Sequence, residues 1–281
     1  MNPRSPAARK AANRAVLALS ALGALIAITF LLWVLVSVLH RGARAFDWDF
    51  FTKAQTPPGE PGGGVGHAIL GTAVLTGLAT LFGVPAGMLA GIYLAEYGKH
   101  GHFATLVRML ANILMGTPSI IIGIFVYTLL VLPFSRYSGY AGAAALAIIM
   151  LPVVARTTED MLNLVGDDLR EAALGLGVPK WKATLGVVCR AAKGGLLTGA
   201  LLAIARVSGE TAPLLFTALN SPYWPNALSQ PTANLTVTIY NYAMSPYEDW
   251  KAKAWGASLL ITTGVLLVTV ASRAILRKTA R

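Results

Sequence analysis

Two ionisable residues interrupt an otherwise apolar segment, Arg206 and Glu210, near the middle of Gly194–Leu219. Counted from Gly194 at 1.5 Å per helical residue, Arg206 lies roughly 18 Å along, close to the midplane of a hydrocarbon core about 30 Å thick. A cation there costs about 2.5–3.5 kcal/mol on insertion scales, so it faces a bundle interior or a watery cavity. Glu210 follows one helical turn later, within reach of a salt bridge. Two physical roles are open to the pair. It can lock this helix to its neighbours as a structural ion pair, or Arg206 can hold an anionic solute transiently while Glu210 occupies it between visits. A guanidinium fork suits tetrahedral oxyanions. Ser208, Gly209 and Thr211 add space and hydroxyl groups beside it, which favours a solute path.

Other chemistries find little support. One cysteine, Cys189, allows neither an intrachain disulfide nor a cysteine metal cluster. The histidines, His40, His67, His100 and His102, form no H-E-x-x-H pattern, and no G-x-x-x-x-G-K-[ST] loop occurs. No metal or cofactor is expected, and nucleotide hydrolysis, if it drives this chain, comes from another one. A membrane-embedded enzyme would need clustered acids, bases or ligands at one depth, and the apolar segments carry little beyond Arg206 and Glu210.

The elements that must position these residues are membrane helices. Apolar residues make up 55% of the 281 and charged residues only 12%, with mean hydropathy +0.61; soluble domains carry about a quarter charged residues. The predicted fold is all-α and polytopic, with six crossings: Ala15–Leu39, Ala68–Ala95, Ala111–Leu132, Tyr140–Ala155, Gly194–Leu219 and Ala254–Ser272. The first follows Arg4, Arg9, Lys10 and Arg14 and precedes Ala43-Arg44-Ala45, which imitates a cleaved secretory signal; its length favours a retained helix. Gly83, Gly87 and Gly91 share a face of the second crossing, where they either admit a neighbouring backbone or reflect the ordinary abundance of glycine in such helices. Pro118 breaks the third, with Thr117 and Ser119 able to satisfy the freed carbonyl. Leu235–Tyr240 alternates as a strand would but equally suits a short interfacial helix.

The net charge of +11 sits in the gaps between apolar runs. Attraction to anionic lipid accounts for it, and no nucleic-acid partner is expected. Sixteen of the 23 Lys/Arg residues fall on the side that holds both termini and six on the other, which puts both termini in the cytoplasm. The predicted layout is a basic tail (1–14), a six-helix permease domain (15–276) with a cytoplasmic loop at 156–193 and an outer loop at 220–253, and a second tail (277–281). Within the cytoplasmic loop, Thr157 is placed to cap a short helix, a second stretch runs to Leu176 with Gly177 in the left-handed position, and Pro179 opens a third. Short helices joined at Gly177 would form a compact knob below the membrane.

Glu171-Ala172-Ala173-Leu174-Gly175-Leu176-Gly177 resembles the EAA-x-x-x-G signature of the membrane subunits of bacterial ABC importers. The downstream I-x-L-P part is weak, since Val187-Val188-Cys189-Arg190 lacks the Leu-Pro and leaves the shape of the following helix open. Gly91–Tyr97, Pro118–Gly123, Leu151–Glu159 and Ser208–Leu215, the last carrying Gly-Glu-Thr-Ala-Pro, look like the PstA-type permeases of phosphate importers. The likeness spans roughly Gly62–Thr217 and implies a type I importer core in a bacterial inner membrane. It also implies a second permease subunit, an ATPase dimer, a periplasmic phosphate-binding protein and surrounding lipid as partners. Arg206, Ser208, Glu210 and Thr211 would lie on the phosphate route, and Glu171, Ala172, Ala173 and Gly177 at the ATPase contact. The alternatives are a permease for a related oxyanion, or a passive anion channel or secondary transporter that needs no docking knob.

Overall fold

The computed structural model describes residues 6–99 and 101–279, so Arg4, His100 and Arg281 lie outside the described residues. All regular structure among them is helical: α1 (Pro6–Gly42), α2 (Trp48–Thr52), α3 (Gly66–Ile92), α4 (His102–Gly116), α5 (Ser119–Val126), α6 (Gly139–Asn163), α7 (Asp167–Gly175), α8 (Lys180–Ala183), α9 (Cys189–Ala191), α10 (Lys193–Ser208), α11 (Ala212–Thr217), α12 (Leu235–Ala243) and α13 (Glu248–Thr279). Wider π-helical turns extend α3 (Tyr93–Tyr97) and α5 (Tyr127–Val131) and join α8 to α9 (Thr184–Val188).

Four helices, α1, α3, α6 and α13, are long and apolar enough to cross a bilayer unaided. The count reaches six when each of two bent pairs is one span: α4 with α5, bent by 105°, and α8–α9 with α10, bent by 74°. The break expected at Pro118 in the third span is therefore a sharp corner between α4 and α5. Pro118 sits in extended backbone (φ −56°, ψ 133°), and Thr117 Oγ1 donates to the Ile113 carbonyl at 2.7 Å. Its first half also starts earlier, at His102, because Arg108 finds partners elsewhere in the fold.

The centre of the molecule is the pairing of α3 with α6. A Cβ added at Gly83 would meet the Ala147 carbonyl and Met150 at 3.3 Å; at Gly87, the Leu151 carbonyl and Val154 at 2.8 Å; at Gly91, the Ala155 carbonyl and Thr158 at 2.5 Å. The glycines four apart are thus the surface on which the α6 backbone lies. Leu75, Ala79, Leu146, Met150 and Val154 fill the seam, and Val207 and Leu214 close it from α10 and α11. At one end Phe50, Val65, Tyr242 and Ala254 form a second core, where Tyr242 stacks on Trp250 at 4.7 Å between ring centres. Burial, and then the Asp249 carboxylate, push the Tyr242 phenol above its usual range. Leu235–Tyr240 belongs to α12, whose Asn234 cap accepts from the Val237 N–H at 2.9 Å.

The polar loop expected from Arg156 begins later in the chain. Helix α6 continues to Asn163, so Thr157 is no cap: its hydroxyl donates to the Val153 carbonyl at 2.7 Å inside the helix. Arg156 holds the extra turns together, 3.5 Å from Glu159 and 3.3 Å from Asp160. The bend between α9 and α10 falls at Ala192 and needs no proline.

Candidate functional site

The fifth span does not run unbroken from Gly194 to Leu219. Pro213 has no N–H to give and its ring would strike the carbonyl four residues back, which is that of Gly209. The chain accordingly leaves the helix at Ser208, with the Gly209 N–H bonded to the Arg206 carbonyl at 3.2 Å, and resumes as α11 at Ala212. Gly209 and Pro213 were both visible in the sequence and mark the break. The i, i+4 geometry assumed for Arg206 and Glu210 is lost with it. Among the described residues no ion pair joins them, and that expectation is corrected.

Arg206 occupies the last turn of α10, about 20 Å from Lys193 at 1.5 Å per residue. It is exposed and shares an outward face with Leu202, one turn earlier, which is 42% exposed. None of the described residues covers that face. An arginine at such depth is not left to hydrocarbon, so water or another protein must meet it. Ser208 turns inward and donates to the Ala205 carbonyl at 2.8 Å. It lines a groove of about 480 Å³ between α3, α10 and α13, whose other polar residues are Thr72, Thr76 and Thr80. Glu210 is half-buried, and its carbonyl accepts from Thr236 Oγ1 of α12 at 2.8 Å. Thr211 caps α11 through its carbonyl, which accepts from Leu214 and Leu215 N–H at 3.1 and 3.2 Å. The break that presents Arg206 is thus pinned from behind by α12.

The second group sits at the other end of α10. On α7, Glu171 and Ala172 are exposed while Ala173 is buried against the body. Gly177 has φ +78°, the left-handed conformation that its place after the helix requires. Leu176 before it and Leu164 at the end of α6 are 84% and 77% exposed.

Two guanidinium clamps lie at this end, one on the knob and one beside it joining α4 to α6, and sequence reasoning missed both. Arg170 on α7 donates from Nε (3.0 Å) and Nη2 (2.8 Å) to Glu96 Oε1 at the end of α3. Its Nη2 and Nη1 also reach the Leu162 and Val165 carbonyls, orphaned where α6 ends. Arg108 on α4 donates from Nε to Glu159 Oε1 on α6 at 2.6 Å and from Nη2 to the Leu94 carbonyl at 2.9 Å. Both carboxylates are 5% exposed. The one clue was Glu96, an acid directly after the apolar run Gly91–Ala95, which demands a cation.

Residues 83–281 match the family described as binding-protein-dependent transport system inner membrane component. The phosphate transport system permease protein PstA of Yersinia pestis is 46% identical over 96% of this chain and 92% of its own length. That of Haemophilus influenzae is 47% identical over 94% of each, and PstA 1 of Mycobacterium tuberculosis 36% over 89% and 81%. Among solved structures, an inward-facing form of the MetNI methionine ABC transporter superposes with a TM-score of 0.60, covering 76% of this chain and 95% of the other at 21% identity, a likeness of fold. The chain belongs to the binding-protein-dependent inner-membrane transport components and, among them, to the PstA-type permeases of ABC importers: it is a membrane-spanning transport subunit and not an enzyme.

Proposed function

We propose that this chain forms one wall of the route by which an ATP-driven importer moves inorganic phosphate across a bacterial inner membrane, with Arg206 as a transient partner of the anion. One observation carries the reading: an arginine deep along α10 on an apolar face that this chain leaves uncovered. A second, related permease subunit facing Leu202 and Arg206 would enclose a wet path there. Ser208, Glu210 and Thr211 shape the turn that presents the guanidinium, so Glu210 positions the path without neutralising Arg206. A fork of N–H donors matches a tetrahedral oxyanion, and the PstA relatives are named for phosphate.

An ABC permease works with an ATPase subunit and further transporter components. In our reading the exposed side of α7, with Glu171, Ala172, Ala173 and Gly177, docks on an ATPase dimer. The Asn220–Lys253 segment faces a periplasmic phosphate-binding protein. Both termini are then cytoplasmic, which agrees with the excess of Lys/Arg on that side. Closure of the ATPase pair would move α7, and the Arg170 and Arg108 clamps would pass that movement to α3, α4 and α6 as the walls alternate between outward and inward openings.

Uptake of radiolabelled phosphate by cells carrying the Arg206→Ala chain tests the route. Uptake is expected to vanish while the subunits still co-purify, and retained uptake would reassign Arg206 to structure. For the docking side, Glu171→Lys or Gly177→Pro should strip the ATPase from the purified importer; recovery of the ATPase at normal yield would refute that contact.

A further inference from the structure

Beneath α7, residues Glu96, Lys99, Arg170, Leu174, Lys180 and Thr184 enclose a cavity of about 200 Å³. Its charges do not balance. Arg170 is consumed by Glu96 and by the carbonyls that end α6. Lys99 has only Asp167, at 3.5 Å, an acid 68% exposed and shared with Arg170 at 3.3 Å. Lys180 has no carboxylate within salt-bridge distance among the described residues, and its ammonium lies 4.6 Å above the Tyr97 ring. The lining thus carries three cations, Lys99, Arg170 and Lys180, and one carboxylate, Glu96, and the Lys180 ammonium has only an aromatic face for company. An ammonium carries three donors and no acceptor, and both lysines, exposed at the mouth of the cavity, keep donors free for a ligand. What the cavity lacks is a compact anion rich in acceptors.

We propose that it binds a phosphate oxyanion between Lys99 and Lys180. The chemistry is common to free inorganic phosphate and to the headgroup of an anionic phospholipid. The exposed Tyr97 ring, over which the Lys180 ammonium lies, suits a membrane interface. Either ligand would tie Lys99, just beyond α3, to Lys180 of α8 across the flank of α7, and so brace the knob against the body. The site lies at the opposite end of α10 from Arg206 and does not depend on the role given to that residue.

The test is amine footprinting of the full chain with whatever subunits co-purify, held in phosphatidylcholine nanodiscs and treated with an acylating reagent read by mass spectrometry. Lys182, exposed on the same helix over the Trp181 ring, is the internal reference. Inorganic phosphate should lower the labelling of Lys99 and Lys180 several-fold and leave Lys182 unchanged, with potassium chloride at matched ionic strength having no effect. Protection seen only in discs containing phosphatidylglycerol assigns the site to a lipid headgroup. Protection by neither, equal protection by chloride, or equal protection of Lys182 overturns the proposal. In a Lys180→Gln chain, which keeps the Arg170–Glu96 clamp, Lys99 should lose its protection; persistence there would also overturn it.

Discussion

At the scale of single residues, burial decides which charges matter. Glu96 and Glu159 are nearly inaccessible, and each survives there because a guanidinium meets it. Removing one member of a buried pair strands the other, at a cost of about 3–5 kcal/mol, whereas removing both is far milder. Arg170→Ala should therefore lower the thermal stability of the purified chain sharply, and Arg170→Ala with Glu96→Ala should recover most of the loss. A double-mutant cycle by differential scanning measures it, and purely additive losses would mean that the pair does not hold α7. Neither clamp was legible in the sequence. The partners stand 74 and 51 residues apart, and no local period relates such positions. Arg206 was legible, since a cation in an apolar run announces itself, but its pairing with Glu210 was not. That inference assumed a continuous helix, and the chain breaks between Ser208 and Ala212.

Among the elements, α3 and α6 share a seam set by glycine. Gly87→Val or Gly91→Val would drive a branched side chain into the α6 backbone and destabilise by about 1–3 kcal/mol. Gly77 is the control on the same helix, because a Cβ there meets nothing within 4 Å; Gly77→Ala should be neutral or stabilise by roughly 0.5–1 kcal/mol. Comparable losses at Gly77 and Gly91 would show that helix propensity, and not close approach, governs these sites. The four-residue spacing was plain in the sequence, as were the apolar spans. The corners at Pro118 and Ala192 were not, because the angle between two helices is chosen by the surfaces they bury. Helix ends were misplaced for a related reason: Arg108, Arg156 and Glu159 look like loop residues until their partners are known.

For the molecule as a whole, the uncovered face of α10 is the feature from which transport follows. Cys189 is the only cysteine, so Cys189→Ser provides a background for single thiols. In the assembled importer Leu202→Cys should react with a water-soluble maleimide, and the rate should change when ATP is added. Leu81→Cys on α3, 63% exposed to the surroundings of this chain, should stay unreactive in lipid. Equal silence at both positions would seal the α10 face and remove the route. Helix α1 stands apart from all of this. Only 6% of its most apolar window is buried in protein, and its ties to the rest lie near its end, where Gly42 abuts Leu259 and Arg41 covers the Trp255 ring. Its residence in the bilayer is therefore a matter of partition between water and hydrocarbon, settled at insertion before any tertiary assembly begins. Its sequence answers to the solvent that surrounds it, and exchanging one aliphatic residue for another along its length should leave the remaining helices undisturbed.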